Sequence, residues 1–157
     1  MQLPSKLVLV PAALVVIVLV VLIVLLTGGD DEAATLETGT ISAKDLRVGN
    51  CISDANSMQG DVTTFDAVKC TKPHDGEVFT IIPLKGTKYR GTQFVTGKGQ
   101  RGCRARLARQ ATRKAFRDKQ LGFKFVYPTK QSWAQGDREL TCLATYRKPR
   151  TGTLEQR

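Results

Sequence analysis

Apolar residues are concentrated at the start of the chain. Residues 7–26 (LVLVPAALVVIVLVVLIVLL) carry no charged side chain, and a helix of this length spans about 30 Å, the thickness of the hydrocarbon core of a bilayer. Lys6 precedes this segment and an acidic stretch at residues 30–32 follows it. Since positive charge stays on the cytoplasmic side, the pattern predicts a single-pass transmembrane helix with residues 1–6 in the cytoplasm and the remaining chain outside.

A cleaved signal peptide is the alternative interpretation of this segment. Such a peptide has an apolar region of roughly 7–15 residues that ends in an A-x-A-like site. The apolar run at residues 7–26 is longer, and the small residues 27–29 (TGG) match a cleavage site poorly. We therefore favour an uncleaved anchor, and under either interpretation the rest of the chain lies outside the cytoplasm.

The remaining chain divides into a stalk, one domain and a tail. Residues 27–40 are small and acidic, and they contain too little apolar surface to offset chain entropy, so they predict a flexible stalk. Residues 148–157 (KPRTGTLEQR) predict a disordered tail on similar grounds. Residues 41–147 are enough for one extracytoplasmic domain with a single core.

Four segments of this domain have the pattern of β-strands, at residues 62–70, 77–84, 122–127 and 138–146. The second has apolar residues on both faces, which is typical of a central strand. In the fourth, alternate residues share one face. These residues are Leu140, Cys142, Ala144 and Tyr146.

A helix is predicted at residues 102–119 (GCRARLARQATRKAFRDK). At 100° per residue, one side of this helix is small and apolar and the other is basic. The apolar side consists of Cys103, Leu107, Ala108, Ala111 and Ala115. The basic side consists of Arg106, Arg109, Arg113 and Arg117. The predicted fold class is therefore α+β: an N-terminal transmembrane helix, then a small disulfide-stapled domain with an antiparallel sheet of about four strands and one main basic amphipathic helix.

All four cysteines follow the apolar segment, which is typical of disulfides in an oxidising compartment. Three pairings are possible. Cys103 lies on the apolar side of the predicted helix and Cys142 on the same face as Leu140, whereas Cys51 and Cys70 flank a turn-rich loop near the start of the domain. We therefore predict the disulfides Cys51–Cys70 and Cys103–Cys142.

The charge of the chain is positive and unevenly distributed. The 24 basic residues exceed the 14 acidic ones by ten. Residues 41–84 contain four basic and six acidic side chains, whereas residues 85–124 contain thirteen basic side chains and one acid. This asymmetry predicts a cationic surface, with the four helix arginines binding an anionic lipid, an envelope polymer or an acidic envelope or division protein, unless they serve solubility alone. Nucleic acid is not expected, because the predicted compartment excludes it and no aromatic residues are interleaved with the arginines.

No catalytic motif stands out along the chain. The G-x-S-x-G, S-x-x-K, H-E-x-x-H and P-loop patterns are missing from the sequence, and no cofactor is predicted. A single histidine excludes a His-rich metal site. Asp75 and Glu77 beside His74 are a weak acid–base candidate. Pro and Gly around His74 favour instead a turn before a strand, in which Asp75 accepts backbone N–H groups and His74 holds a neighbouring loop.

Three segments resemble one known family. Residues 68–79 (VKCTKPHDGEVF) are similar to the V-x-C-x-x-P-H-D-x-E-V-F signature of the septum-formation domain of actinobacterial envelope proteins. Residues 45–51 (DLRVGNC) resemble its D-L-x-x-G-D-C opening, with Asn50 where Asp is usual, and residues 128–138 (PTKQSWAQGDR) resemble its P-T-x-x-S-W-x-x-G-D-R segment. The resemblance implies a single-pass envelope protein associated with septum formation, and it supplies no catalytic residues.

The motif residues have physical roles that the sequence predicts. Trp133 should close one end of the core with its indole N–H bonded to backbone. Gly136 should adopt a positive φ in a turn stabilised by Asp137. We also expect Asp137 and Arg138 to pair with His74 or Asp75, which would join two motifs in one cluster. Pro73 and Glu77 complete the motif set.

These patterns predict a non-catalytic module at the cell membrane that takes part in septum formation and envelope assembly. It would bind its partner through the basic helix. An envelope enzyme that uses the Pro-His-Asp-x-Glu segment is one alternative. A sensor module that binds a small ligand in a cleft near Trp133 is the other.

Overall fold

The computed structural model describes residues 36–59, 62–111 and 120–154. The predicted membrane span at residues 7–26 lies outside these ranges. Among the residues described, no helix is both long and apolar enough to cross a membrane.

The described residues form a six-stranded sheet with the spatial order β1-β3-β2-β4-β6-β5, and its neighbouring strands pair antiparallel. The strands are β1 (Gly39–Ser42), β2 (Cys51–Ile52), β3 (Thr64–Val68), β4 (His74–Pro83), β5 (Leu121–Val126) and β6 (Glu139–Arg150). Two α-helices accompany the sheet in this part of the chain: α1 (Thr92–Gln110) and the short α2 (Lys130–Ala134).

This architecture corrects the predicted fold class. The described part of the domain is mostly antiparallel sheet, and it has six strands where the sequence predicted about four. The missed strands are β1 and β2, which have only four and two residues and are too short to show an alternating pattern. Their positions come from pairing with β3 and β4, which a local pattern does not contain.

The two long strands β4 and β6 lie at the centre of the fold and carry core residues on both faces. Val78 packs with Ile52 and Leu143 in one cluster, whereas Phe79 packs with Leu140 in a second cluster. The second cluster also contains Cys142, Ala144 and Tyr146. The predicted central position of the second strand and the predicted common face of the last strand are therefore confirmed.

Helix α1 begins ten residues before its predicted start. Its buried residues recur every fourth position and are Val95, Gly99, Cys103 and Leu107. Gly97, Gly99 and Gly102 disfavour a helix in isolation, which is why the sequence pattern placed the start at residue 102. Two of these glycines allow close packing, because a Cβ at Gly99 would lie 2.6 Å from the Phe125 ring and one at Gly102 would lie 2.7 Å from Ile82 Cδ1.

The predicted end of this helix is also different in the structure. Ala111 has an extended backbone with ψ near 138°, so the described helix ends at Gln110. Residues 112–119 of the predicted helix, which include Arg113 and Arg117, lie outside the described residues.

Both disulfides of the structure are the pairs predicted from the sequence. Cys51 and Cys70 have Cα atoms 5.3 Å apart, and Cys103 and Cys142 have Cα atoms 5.5 Å apart. The first joins β2 to the turn before β4, and the second joins α1 to β6. In the chain-entropy description, loops of 19 and 39 residues correspond to about 3 and 4 kcal/mol of stabilisation.

The ordered part of the chain extends further toward the C-terminus than its composition suggests. Strand β6 continues to Arg150, and Leu154 is only 4% exposed. A disordered tail was predicted at residues 148–157, but the buried Leu154 and a backbone hydrogen bond from Gly152 N to Cys70 O at 2.8 Å hold residues 148–154 to the fold. Residues 155–157 lie outside the described residues.

Candidate functional site

His74 is the first residue of β4 and is completely buried. The turn that the sequence placed at residues 73–76 lies earlier, at residues 70–72, and is closed by the hydrogen bond from Lys72 N to Lys69 O at 2.7 Å. His74 Nδ1 lies 2.8 Å from Lys72 O. The imidazole also meets the Tyr146 ring edge-on, with centroids 6.2 Å apart. His74 therefore holds the turn from inside the core.

Asp75 holds the loop that follows β2. Its carboxylate accepts hydrogen bonds from Ala55 N at 2.6 Å and from Asn56 N at 3.2 Å. These N–H groups begin a 3₁₀ turn at Ala55–Ser57, where backbone donors have no partner within the turn itself. Gly76 allows this approach, because a Cβ there would collide with the Cβ of Ala55. Asp75 thus acts as a cap from 20 residues away.

Glu77 ties the C-terminal segment to the sheet. Its side chain is 4% exposed, and Oε2 accepts hydrogen bonds from Tyr146 Oη at 3.0 Å and from Leu154 N at 2.7 Å. Asp75 and Glu77 therefore bind different segments of the chain. Both carboxylates serve the fold in this arrangement.

The opening motif packs against the same strand. Gly49 N donates to Val78 O at 2.8 Å, and Val78 N donates to Asn50 O at 2.9 Å. The Asn50 side chain accepts a hydrogen bond from Arg47 N at 2.6 Å. An acceptor is all that this position requires, which explains why Asn can stand where the family pattern has Asp.

Three chemically active side chains converge at this point of the sheet. A ring nitrogen of His74, a carboxylate oxygen of Glu77 and Sγ of Cys51 lie within 4.8 Å of one another, and all three residues are buried. This combination of ligands suits a transition metal or zinc. In the structure, however, Cys51 is bonded to Cys70 and offers no thiolate.

The segment at residues 128–138, which we call the second motif, forms a separate cluster around α2. Thr129 caps the helix by accepting a hydrogen bond from Ser132 N at 3.1 Å, and Ser132 Oγ accepts one from Thr129 N at 3.0 Å. At the other end, Asp137 N donates to Ser132 O at 3.0 Å and Gly136 N donates to Trp133 O at 3.1 Å, which is a Schellman motif. Gly136 has a φ of 96°, as predicted.

Trp133 and Arg138 lock this cluster to the preceding loop. Trp133 is 5% exposed, and its indole N–H donates to Thr87 O at 2.9 Å, as predicted. Arg138 places its guanidinium carbon 4.0 Å from the indole centroid. Its Nη1 donates to Trp133 O at 2.6 Å and to Asp137 O at 2.7 Å.

The expected union of the two motifs is wrong. Asp137 binds Ser132 Oγ at 2.9 Å and Glu139 N at 3.0 Å rather than His74. The motifs lie at opposite ends of β4, since His74 pairs with Arg150 and Pro83 pairs with Glu139. A ten-residue strand separates them by roughly 30 Å.

The exposed basic residues of α1 are not the same residues as the predicted row of arginines. Arg109 is exposed, but Arg106 is half-buried at the side of the helix. Lys98, Arg101 and Arg104 are exposed and follow one another at three-residue steps, so they lie on one side of the helix. Lys98 and Arg101 precede the predicted helix start at residue 102, so a prediction that began the helix earlier would have included them.

The loop before α1 adds a further cation to this surface. Arg90 lies 3.8 Å from the Phe94 ring centroid, and Lys98 Nζ lies 5.7 Å from it. We call the exposed set the basic face. It consists of Arg90, Lys98, Arg101, Arg104 and Arg109. No acidic residue occurs in the sequence between Glu77 and Asp118.

A groove of about 500 Å³ lies beside the second motif. Its lining includes Lys44, Arg47, Val126, Tyr127 and Ser132. The groove is thus apolar along the β5 end, and its other lining residues include both basic and acidic side chains, among them Arg138, Asp137 and Glu139. The groove is lined by Ser132, the residue before Trp133, whereas the buried Trp133 side chain is not among the lining residues.

The fold and its motifs define a small disulfide-stapled β domain in which the motif residues hold the chain together. A family model described as septum formation matches residues 48–157. The chain therefore belongs to the septum-formation family, which supports a role in septum formation or the cell envelope. No curated protein and no solved structure matches it.

Proposed function

We propose that this domain is a non-catalytic binding module that works outside the cytoplasm at the cell membrane. It would contact phosphate groups of an anionic envelope lipid or polymer through the basic face. The observation that carries this proposal is the row formed by Lys98, Arg101 and Arg104. It offers repeated positive charge on the convex surface of a helix.

We propose that the domain is not an enzyme because the motif side chains form hydrogen bonds within the fold. Asp75 and Glu77, the acid–base candidates, are buried and accept hydrogen bonds from three backbone N–H groups and one tyrosine hydroxyl. An acid–base pair needs to reach a substrate proton. His74 is likewise buried, with Nδ1 engaged by Lys72 O. These contacts favour a structural use of the segment over an envelope enzyme.

An extracytoplasmic position is supported by the disulfides. All four cysteines are paired, and such pairs persist in oxidising compartments. A phosphatase reporter that is active only outside the cytoplasm, fused after residue 157, should be active in cells. An inactive reporter with all four cysteines reduced would contradict this part of the proposal.

The basic face is tested by charge removal with a matched control. The full-length triple variant Lys98→Gln, Arg101→Gln, Arg104→Gln removes three exposed charges from α1. The control Lys69→Gln, Lys72→Gln, Lys148→Gln removes three exposed charges elsewhere. At about 1 kcal/mol for each cation near an anionic surface, the first variant should bind roughly a hundredfold more weakly.

Two measurements separate the sources of phosphate. Sedimentation with vesicles that contain anionic or only neutral lipids reports lipid binding, and sedimentation with isolated cell-wall polymer reports polymer binding. Fluorescent fusions in dividing cells should show the parent and the control at the septum and the α1 variant dispersed. Equal binding and equal septal localisation of both variants would refute the role of the basic face.

The groove beside the second motif supports a second candidate function, the binding of a small ligand. Val126 lines the groove and is half-buried. Val126→Trp should fill the space, and any ligand that raises the melting temperature of the parent should lose this effect in the variant. If the ligand raises the melting temperature of Val126→Trp as much as that of the parent, it does not bind in this groove.

A further inference from the structure

One buried polar atom is left over when the hydrogen bonds of the motifs are assigned. Over the described residues, His74 Nε2 is the buried side-chain nitrogen or oxygen that has no hydrogen-bond partner. The residue is 0% exposed. Burying a polar atom without a partner is unfavourable by about 1–3 kcal/mol, so such an atom in a native fold calls for an explanation.

The environment of the imidazole indicates what this atom can bind. Nδ1 lies 2.8 Å from the Lys72 carbonyl oxygen, which can only accept, so Nδ1 carries the hydrogen. In the neutral ring Nε2 then has a lone pair. A histidine that ligates a metal is oriented in this way, with its other N–H donated to a backbone carbonyl. A ring nitrogen of His74 also lies within 4.8 Å of Cys51 Sγ and of a carboxylate oxygen of Glu77.

We propose that the Cys51–Cys70 pair, once reduced, joins His74 and Glu77 in a binding site for Zn²⁺ or a cation of similar preference. Two thiolates, one imidazole and one carboxylate form a four-ligand set of the kind that zinc accepts. Cys70 is in reach because it is bonded to Cys51 in the oxidised state. This site does not depend on the basic face.

The surrounding contacts hold the ligands in position. Tyr146 Oη and Leu154 N both donate to Glu77 Oε2, which fixes the carboxylate. Cys51 lies in β2 and pairs directly with Glu77 of β4 in the sheet. The sheet itself therefore keeps two ligands together after the disulfide opens. The metal would then replace the disulfide as the link between β2 and the turn before β4.

Reduction can be selective for this disulfide. Cys103 and Cys142 are both 0% exposed, whereas Cys70 is half-buried. A water-soluble phosphine supplies two electrons and breaks the Cys51–Cys70 bond. Water gives its oxygen to the phosphine, which becomes a phosphine oxide, and its two protons to the two sulfurs, which become thiols. The cation then forms bonds to both sulfurs, and two thiol protons are released.

The test uses the purified full-length chain, treated or not treated with the phosphine under native conditions, and Co²⁺ as a spectroscopic probe of the zinc site. The reduced chain should bind a single equivalent of Co²⁺ with thiolate charge-transfer bands and tetrahedral d–d bands. Zn²⁺ should displace Co²⁺. The untreated chain should show neither band. Failure of the reduced chain to develop these bands would overturn the proposal.

Variants and a labelling experiment identify the ligands. His74→Ala should weaken Co²⁺ binding by at least about tenfold. The control is Asp75→Asn, which changes a neighbouring carboxylate outside the cluster and should bind Co²⁺ like the parent. Where His74→Ala fails to fold, alkylation of the reduced parent decides: Zn²⁺ should protect Cys51 and Cys70 from iodoacetamide. Unprotected thiols, or full affinity in a folded His74→Ala chain, would contradict the site.

Discussion

The packing of α1 on the sheet can be tested with two alanine substitutions in the same helix. Gly97 and Gly99 are both interior helix positions, so the gain in helix propensity, about 0.5–1 kcal/mol, is similar at each. Their surroundings are different. A Cβ at Gly97 meets only the Arg101 guanidinium, with Nη1 at 3.5 Å, whereas a Cβ at Gly99 would lie 2.6 Å from two carbons of the Phe125 ring.

The magnitude follows from this difference. Carbon atoms in contact prefer about 3.5–4.0 Å, so Gly99→Ala must push the Phe125 ring or the helix by about 1 Å. Overpacking of this kind destabilises by about 1–3 kcal/mol. Gly97→Ala should therefore be more stable than the parent, and Gly99→Ala less stable than Gly97→Ala by about 1–3 kcal/mol.

Thermal unfolding followed by circular dichroism measures this gap. For a domain of this size 1 kcal/mol corresponds to roughly 3–5 °C in Tm, so the two variants should differ by about 3–15 °C. Phe125→Leu added to Gly99→Ala should recover part of the loss, because the ring that meets the new methyl is removed. Equal melting temperatures for the two alanine variants would refute the close approach of α1 to β5.

Two further predictions concern the motif clusters. Asp75→Ala removes the acceptor for Ala55 N and Asn56 N and should reduce the free energy of unfolding, measured in urea, by about 1–3 kcal/mol. The control Asp66→Ala loses one exposed hydrogen bond from Thr40 Oγ1 and should change this free energy by less than about 0.5 kcal/mol. Arg138→Lys keeps the charge but loses the planar contact with Trp133, and should destabilise by about 1 kcal/mol with a red shift in the fluorescence of this single tryptophan. Equal stability of the two Asp variants, or unchanged emission in Arg138→Lys, would contradict these assignments.

The sequence predicted those parts of the fold that leave a local pattern. The apolar residues of β4 on both faces and the alternation in β6 marked the two central strands. Gly136 and Trp133 were predicted from turn chemistry and from the need of an indole N–H for a partner. Each of these signals lies within a few consecutive residues.

The parts that failed depend on contacts between distant segments. The start of α1 was missed because Gly97 and Gly99 oppose a helix locally. The close approach of Phe125, on the distant strand β5, explains why residue 99 is glycine. The partner of Asp75 is a loop 20 residues earlier. The joined cluster of His74 and Asp137 was wrong because nothing local showed that one long strand separates them.

The position of β6 has a consequence for the order of folding. It is the last strand of the described chain, yet it lies between β4 and β5 and supplies the cysteine that binds α1. Until residues 139–150 are available, β5 has no neighbour in the sheet and Cys103 has no partner. We therefore expect the chain to stay open until β6 has been synthesised, and the domain to close in one late step. Truncation before β6 should yield an unfolded and aggregation-prone chain rather than a smaller domain.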